Sequence, residues 1–580
     1  MERRTLIAVI LSFAVLYIYQ AFFVPAPVKP PATQITQSTA ATPSTPAAAG
    51  STSATVVQPA PPPVEAVISS PAEQDITVDT KTIKAVFTNR GGRLKHWFLR
   101  GYQDERGQPV DLVPSQIPAD LPLPFSLRVE DGTTTQTLNT ALYRISGATG
   151  TTIDATQAPV SLVFEYQDVA GLNARKEFTL EPQSFVVTFS ASVTQGDRAL
   201  NPFVQWGPGL GDGGATAGGG SFFTGNYVQA PEAIVHNGDK VQRVAAANVA
   251  GQAVHQGNLR FAGVDDHYFI ASLINPGQVS VEYRAFTLPA PGDETRQRQL
   301  VAHTSRFPQP PNGLKYYIGP KLFDELKSVD AEFVRAINFG IFAWLAVPFL
   351  SVLKWIYGYV GNYGWAIIFL TILMNIVIFP LRHKSVVSMR KMQQLQPQLK
   401  VIQDHYKDLK VTDPARQKMN TEMMNLYREK GVNPASGCIP MLLTFPVLFA
   451  FYALLSQAIE LRGAPFGLWI HDLSQHDPYY VTPLLMGATM FWQQRITPTS
   501  ADPTQQQVMM LMPVIFIAMF LRFPSGLAIY YFVNNLWAIG QQYFTNWLLG
   551  PMNVHTPRPP AERRMKSVGT GRTEGAEKKA

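Results

Sequence analysis

Cysteine is almost missing: Cys438 is the single thiol in 580 residues. That excludes an internal disulfide framework and any thiolate cluster for a metal, and leaves a buried free thiol at the edge of an apolar segment. Charge is also sparse, at 15% of residues with a formal net of +7, so where the charges sit says more than their sum. Residues 25–335 lack long apolar runs and are polar, rich in Pro, Gly and Thr; the apolar runs concentrate in 336–550. A mean hydropathy of zero therefore hides two populations, and a chain of this length is expected to hold two or more units. Stretches 365–381, 438–459, 482–492, 508–521 and 527–549 contain no Asp, Glu, Lys or His. An intramembrane protease would need a nucleophile–base pair or metal ligands there. A secondary transporter would normally show titratable groups or paired inverted repeats. Neither pattern is present.

What is there begins with Met1-Glu2-Arg3-Arg4 ahead of an uncharged run over 5–24. About twenty residues at ~1.5 Å rise cross a ~30 Å hydrocarbon core. A cleaved signal peptide has a shorter apolar core and a small-residue cleavage site, whereas this run ends Phe22-Phe23-Val24-Pro25. Residues 1–24 are thus expected to be a retained transmembrane signal-anchor, its arginines holding the N-terminus in the cytoplasm. Residues 25–74, dominated by Pro, Ala, Thr and Ser, read as a disordered periplasmic tether.

From 75 to 335 the period is two. Ile83, Ala85 and Phe87 alternate with Lys84, Val86 and Thr88 before a turn at Asn89-Arg90-Gly91-Gly92. Residues 162–166, 175–180 and 185–193 read as neighbouring strands, with Asp168-Val169-Ala170-Gly171 turning the first into the second. Many short strands with Gly/Pro punctuation predict an antiparallel sandwich. Two motif-like strings carry no chemistry here. Gly209-Leu210-Gly211-Asp212 lacks the membrane helix or the Lys-Ser/Thr that would make it catalytic or phosphate-binding, and reads as a flexible loop. Asp265-Asp266-His267 has no second ligand cluster and reads as a solvated turn.

Residues 336–360 are apolar and aromatic but interrupted by Pro348 and Lys354, which suits an amphipathic helix along the outer interface. Residues 361–550 follow as a five-span core. The chain's second transmembrane run, 365–381, opens this core and heads inward. Residues 382–437 then carry 11 Lys/Arg against 5 Asp/Glu, the signature of a cytoplasmic loop. Met389, Met392, Leu395, Leu399, Ile402 and Tyr406 form one helical seam; Met419, Met423 and Leu426 form another after Asp413-Pro414. The loop reads as a helical hairpin, either a solvated charged arm or a docking arm. The runs 482–492 and 508–521 are short, about 16–21 Å as helix, and must thin the bilayer or be lengthened by polar flanks. The tail 551–580, with seven basic and three acidic residues, is again cytoplasmic by charge.

Uncharged polar residues punctuate these runs: Thr371 and Asn375 on one face, Thr444, then Tyr530, Tyr531, Asn534 and Asn535. Singly, each is explained by helix–helix hydrogen bonding. Together, on three helices, they point to a wetted cavity.

Phe379-Pro380-Leu381, Asn433-Pro434, Gly437-Cys438-Ile439-Pro440, the run Ala464-Pro465-Phe466-Gly467-Leu468-Trp469-Ile470-His471-Asp472-Leu473-Ser474, Asp477-Pro478-Tyr479-Tyr480 and Phe523-Pro524-Ser525-Gly526-Leu527 occur here in one order. In that order they resemble the YidC / mitochondrial oxidase-assembly / chloroplast Albino family of insertases, in its Gram-negative form. The resemblance is dense over 340–550 and looser outside. It implies a polytopic α-helical membrane protein of six spans, the N-terminal anchor plus a five-helix core, with an inserted all-β periplasmic sandwich. It further implies a non-enzymatic insertase and folding chaperone with no cofactor or metal, located in the bacterial inner membrane with both termini cytoplasmic. Nascent membrane proteins would enter a hydrophilic groove, alone or with the Sec translocon. The ribosome and signal recognition pathway would dock on the hairpin and tail, lipids would surround the core, and no sequence-specific nucleic acid would be bound. By motif position, Thr371, Thr444, Tyr530 and Tyr531 correspond to groove-lining residues, and Asn534 lies beside them. The family's groove arginine is replaced by Asn375. Arg382, seven residues on and about 20° away around the helix, is the candidate to supply the charge, or else an ordinary positive-inside anchor. A secondary transporter and a non-translocating assembly scaffold are the alternatives on residues alone.

Overall fold

A computed structural model describes residues 65–550 except 105–106, 120, 148–149, 212–228, 239, 292, 407–414, 433–438 and 498–502. The signal-anchor, residues 25–64 of the tether, Asp212, Asp413-Pro414, Asn433-Pro434, Cys438 and the basic tail lie outside the described residues; the end of the expected tether is ordered instead, with Ala66–Ile68 a strand paired to Val160–Asp168. The described chain forms two compact units, residues 65–337 and 338–550.

The first unit is a β-sandwich of a 14-stranded and a 5-stranded sheet. In the smaller sheet, strand Ile83–Thr88 buries Ile83, Ala85 and Phe87 and exposes Lys84, as the period of two requires. Strands Val160–Asp168, Leu172–Leu180 and Val186–Gln195 pair antiparallel in sequence order within the larger sheet. The sheets face each other through aromatic rings: Phe87 of the small sheet lies 4.8 Å from Phe178 and 6.3 Å from Phe164 of the large one. Trp97 Nε1 crosses the same gap to the Ile318 carbonyl at 2.9 Å. Lys176, fully buried, donates to the carbonyls of Gly91 (2.6 Å), Phe125 (2.8 Å) and Gly92 (3.3 Å). Burial and then the Arg93 cation push its ammonium well below the usual lysine range. Helices α1 (Gly132–Thr140) and α2 (Phe323–Val329) complete the unit.

Four expectations of strand and loop change here. The strands are not uniformly short, since Phe269–Ala290 runs 22 residues. One pairing, Asp75–Asp79 with Thr152–Asp154, is parallel. Asp265-Asp266-His267 is no solvated turn: Asp265 is fully buried and ion-paired to Lys321 at 3.1 Å, because Lys321 supplies the countercharge that makes burial tolerable. The described part of the Gly209 string is likewise packed, not loose. Gly209 sits at φ +83° with its N–H on the Val301 carbonyl, and a Cβ there would strike Leu300.

The second unit is helical. Helix α3 (Ala343–Val360) ends where Gly361 takes a left-handed conformation, φ 68°. Asn362 then caps α4 (Tyr363–Gln394) by accepting from the Trp365 N–H. Helix α4 does not stop near Leu381; it continues through Pro380 and the first turns of the basic segment, so the hairpin grows from an unbroken helix. Its arms are α5 (Gln396–His405) and α6 (Ala415–Glu429). Leu395, Leu399 and Val432 pack with Met392, Met423, Leu426 and Tyr427, and Tyr406 donates to Glu422 at 2.8 Å. Then come α7 (Ile439–Gln457), α8 (Val481–Ile496), α9 (Pro503–Phe520) and α10 (Ser525–Leu549). At 16 and 18 residues, α8 and α9 reach about 24 and 27 Å, longer than their apolar runs because glutamines extend them. Among the described residues, two helical segments are long and apolar enough to cross a membrane, Gly340–Val360 and Tyr363–Gln394.

Candidate functional site

Helix α10 packs against α4, α7 and α8, which makes it the hub of the second unit. Its start is fixed by the loop that precedes α8. Ser525 N–H bonds the Gln475 carbonyl at 2.7 Å and Gly526 N–H the Leu473 carbonyl at 3.0 Å. Buried Asp477 accepts from Trp469 Nε1, the Tyr479 N–H and both the N–H and hydroxyl of Thr482, tying the same loop to the start of α8. Burial raises the Asp477 carboxyl, but these donors outweigh it and hold the group below the usual carboxylate range. The residue strings between Ala464 and Tyr480 and after Phe523 are therefore a latch that sets helix positions.

Helices α4 and α10 run parallel. Ile367 lies beside Gly526, His383 Nδ1 is 3.3 Å from Thr545 Oγ1, and Arg390 Nη2 donates to the Gly550 carbonyl at 2.9 Å. On α4 the polar residues form a ladder. The Thr371 hydroxyl donates to the Ile367 carbonyl at 2.6 Å and Asn375 Nδ2 to the Thr371 carbonyl at 2.8 Å. Arg382 then folds back toward the helix start, its Nη1 donating to Asn375 Oδ1 at 2.9 Å. Thr371 and Asn375 are buried and Arg382 is half-buried. None of the α4 cations Arg382, Lys384, Arg390 and Lys391 has a carboxylate partner among the described residues.

On α10, Tyr530 and Tyr531 diverge, as residues one apart must. Buried Tyr530 stacks on Phe451 of α7 at 4.3 Å, whereas Tyr531 meets Phe520 of α9 edge-on at 5.0 Å. Asn535 follows Tyr531 and donates to Thr489 and the Met486 carbonyl of α8. Tyr530 instead begins a stripe at helical spacing with Asn534, Trp537, Gln541 and Thr545. Asn534 makes no hydrogen bond among the described residues, and Trp537 Nε1 and Gln541 Nε2 are buried without a partner. Sequence reasoning reached Asn534 and Asn535 but missed Trp537, Gln541 and Thr545; the three-and-four spacing was the available signal. Thr444 lies within α7, and its side chain is outside the described residues. No group of three metal-ligating side chains occurs among the described residues.

Fold and stripe together define an apolar helical module with an internal polar face, carried in one chain with a β-sandwich. Residues 75–352 match the family model of the YidC periplasmic domain, and 355–549 that of the 60Kd inner membrane protein. The membrane protein insertase YidC of Geobacter metallireducens is 36% identical over 563 residues, 94% of this chain and 98% of that one. That of Citrifermentans bemidjiense is 37% identical over 557 residues, 94% of this chain and 99% of that one. The chain belongs to the YidC family of membrane protein insertases. A crystal structure of an active YidC insertase with its first transmembrane domain resolved is 18% identical, covering 83% of this chain and 94% of that one, with a TM-score of 0.33. Membership rests on the sequence likeness.

Proposed function

We propose that this chain is a non-enzymatic insertase and folding chaperone of the bacterial inner membrane, accepting nascent membrane proteins against the polar faces of α4 and α10. The near full-length likeness to insertases supports the activity. One observation carries the mechanism: Arg382 reaches Asn375 and holds a cation without a carboxylate partner beside buried Thr371. In hydrocarbon every polar group needs a partner, so water or substrate satisfies Asn534, Trp537 Nε1 and Gln541 Nε2. Tyr530 walls the same groove, Thr444 is assigned to it by motif position alone, and Tyr531 braces it from the α9 side. An unneutralised guanidinium there draws acidic segments of the entering chain inward.

The topology in this reading is six spans, with residues 1–24 as anchor, α4 and α10 inward, and both termini cytoplasmic. The parallel packing of α4 and α10 supports it. Helix α3 lies at the outer interface, where Trp344, Trp355 and Tyr359 are exposed. Its length alone also suits a span. The hairpin and tail face the cytoplasm and dock the ribosome and signal recognition pathway. The Sec translocon and lipids are the partners within the membrane.

The test is insertion of acidic and neutral substrates into proteoliposomes. Arg382→Gln should slow the acidic substrate by about tenfold, the order expected from losing one charge-assisted contact. Asn375→Arg in that background should restore it. If Arg382→Gln inserts both substrates equally well, Arg382 is only a positive-inside anchor.

A further inference from the structure

The β-sandwich holds a cavity of about 800 Å³ that the insertase reading does not use. Four guanidinium groups line it, from Arg90, Arg93, Arg128 and Arg284. They form two pairs. Arg93 Nε donates to the Arg90 carbonyl at 3.0 Å, and Arg90 is answered by Glu73 at 2.8 Å. Arg128 and Arg284 share one carboxylate, Glu282, at 3.8 and 2.8 Å. Four cations thus face two carboxylates among the described residues. Burial, and next the Arg90 cation, disfavour the charge on Arg93, so an incoming anion would relieve it.

The floor is buried and incompletely satisfied. Ser126 Oγ and His303 Nε2 belong to residues 1% exposed that line the cavity, and neither atom has a hydrogen-bond partner among the described residues. Burial pushes His303 down to about 3, so it presents a neutral ring. Trp206 and Phe286 supply apolar wall. The neighbouring strand Ser126–Arg128 pairs with Phe203–Trp206, and Asn139 occupies its other edge by accepting from the Leu127 N–H (3.0 Å) and donating to the Leu127 carbonyl (2.7 Å). Strand addition is blocked there, and recognition falls to side chains.

We infer that this cavity binds an extended acidic polypeptide segment, with carboxylates at the two arginine pairs and an apolar side chain on the wall between them. Two cationic pairs, each tied to its own carboxylate (Glu73 and Glu282), match carboxylates carried along a chain better than one compact phosphate, which would gather its donors at a point. The cavity lies in the size range of small-ligand sites, enough for a few residues of chain. The insertase reading supplies the source: outer segments of substrates pass this domain.

The test uses the full chain in nanodiscs of zwitterionic lipid, with a fluorescent peptide alternating Asp/Glu with aliphatic residues and a Gln-substituted control. Saturable, salt-sensitive binding of the acidic peptide alone is expected. It should weaken about tenfold or more in R93Q/R284Q, consistent with about 1.4 kcal/mol or more of lost charge-assisted bonding. R93K/R284K should recover part of it. Equal binding of both peptides, or undiminished binding by a folded R93Q/R284Q, would overturn the inference. So would displacement of the peptide by inorganic phosphate or anionic vesicles at lower concentration, which would make this a phosphate or headgroup site. Because no insertion is measured, any of these results leaves the insertase reading standing.

Discussion

The sandwich and the helical module place their inner charges on opposite terms. In the sandwich, a buried charge meets a dedicated partner: Lys176 has three carbonyls and Asp265 has Lys321. In the helical module, the α4 cations meet only amides, hydroxyls or carbonyls, and the α10 stripe leaves donors open. A buried charge with a fixed partner makes a rigid scaffold. Partial satisfaction in an apolar setting makes a surface that water or another chain must complete. The contrast separates buried charge paired to hold a core together from charge left open on a face that another chain can meet.

Removing one side of a satisfied site should have the largest effect. Lys176→Met strands the carbonyls of Gly91, Gly92 and Phe125 in the core, and should cost the sandwich about 3–5 kcal/mol in denaturant unfolding of the full chain. A loss below about 1 kcal/mol would break the contrast. A smaller, pH-dependent effect is expected at Glu232. Burial, and then Asp265, raise it from 4.5 to about 7 against the pull of Arg243 and Lys321. A folded value above the unfolded one gives stability that is fully present below pH 4.5 and is lost as pH rises through about 7. Glu232→Gln should therefore gain on the wild type by about 2–3 kcal/mol between pH 4.5 and 8. A constant difference across that range would mean that Glu232 titrates normally. The smallest expected effect comes from the largest change. Deleting about 75–325 while keeping α3 should leave insertion of a simple substrate largely intact, because the groove is built from α4 and α10. Failure by a correctly folded deletion protein would place part of the insertion site in the sandwich.

Much of this contrast can be read from sequence, and the misses have physical causes. Alternation at Ile83, Ala85 and Phe87 gives the sandwich, because one buried face forces a period of two. The long strand Phe269–Ala290 is hidden because Asn275-Pro276-Gly277 reads as a turn. Asn275 and Gly277 do take positive φ, but the strand pairing resumes beyond them as an irregularity in the ladder. Pro380 likewise reads as a stop, yet α4 continues through it, since one missing N–H does not end a helix packed along its length. In the candidate site, Arg382's approach to Asn375 follows from helical geometry alone. The Trp537–Gln541–Thr545 extension was passed over because its polarity is uncharged and mixed with aromatics. Their spacing puts them on one face, and the packing of α4 on α10 shows which neighbour that face meets.

The most direct test of the open polar face is photocrosslinking during insertion of a simple membrane substrate. A crosslinker replacing Asn534, which is half-buried and unpartnered, should capture the nascent chain; one replacing Trp547, which is 79% exposed, should capture lipid instead. Adducts at both positions in equal yield, or at neither while insertion proceeds, would contradict a groove between α4 and α10.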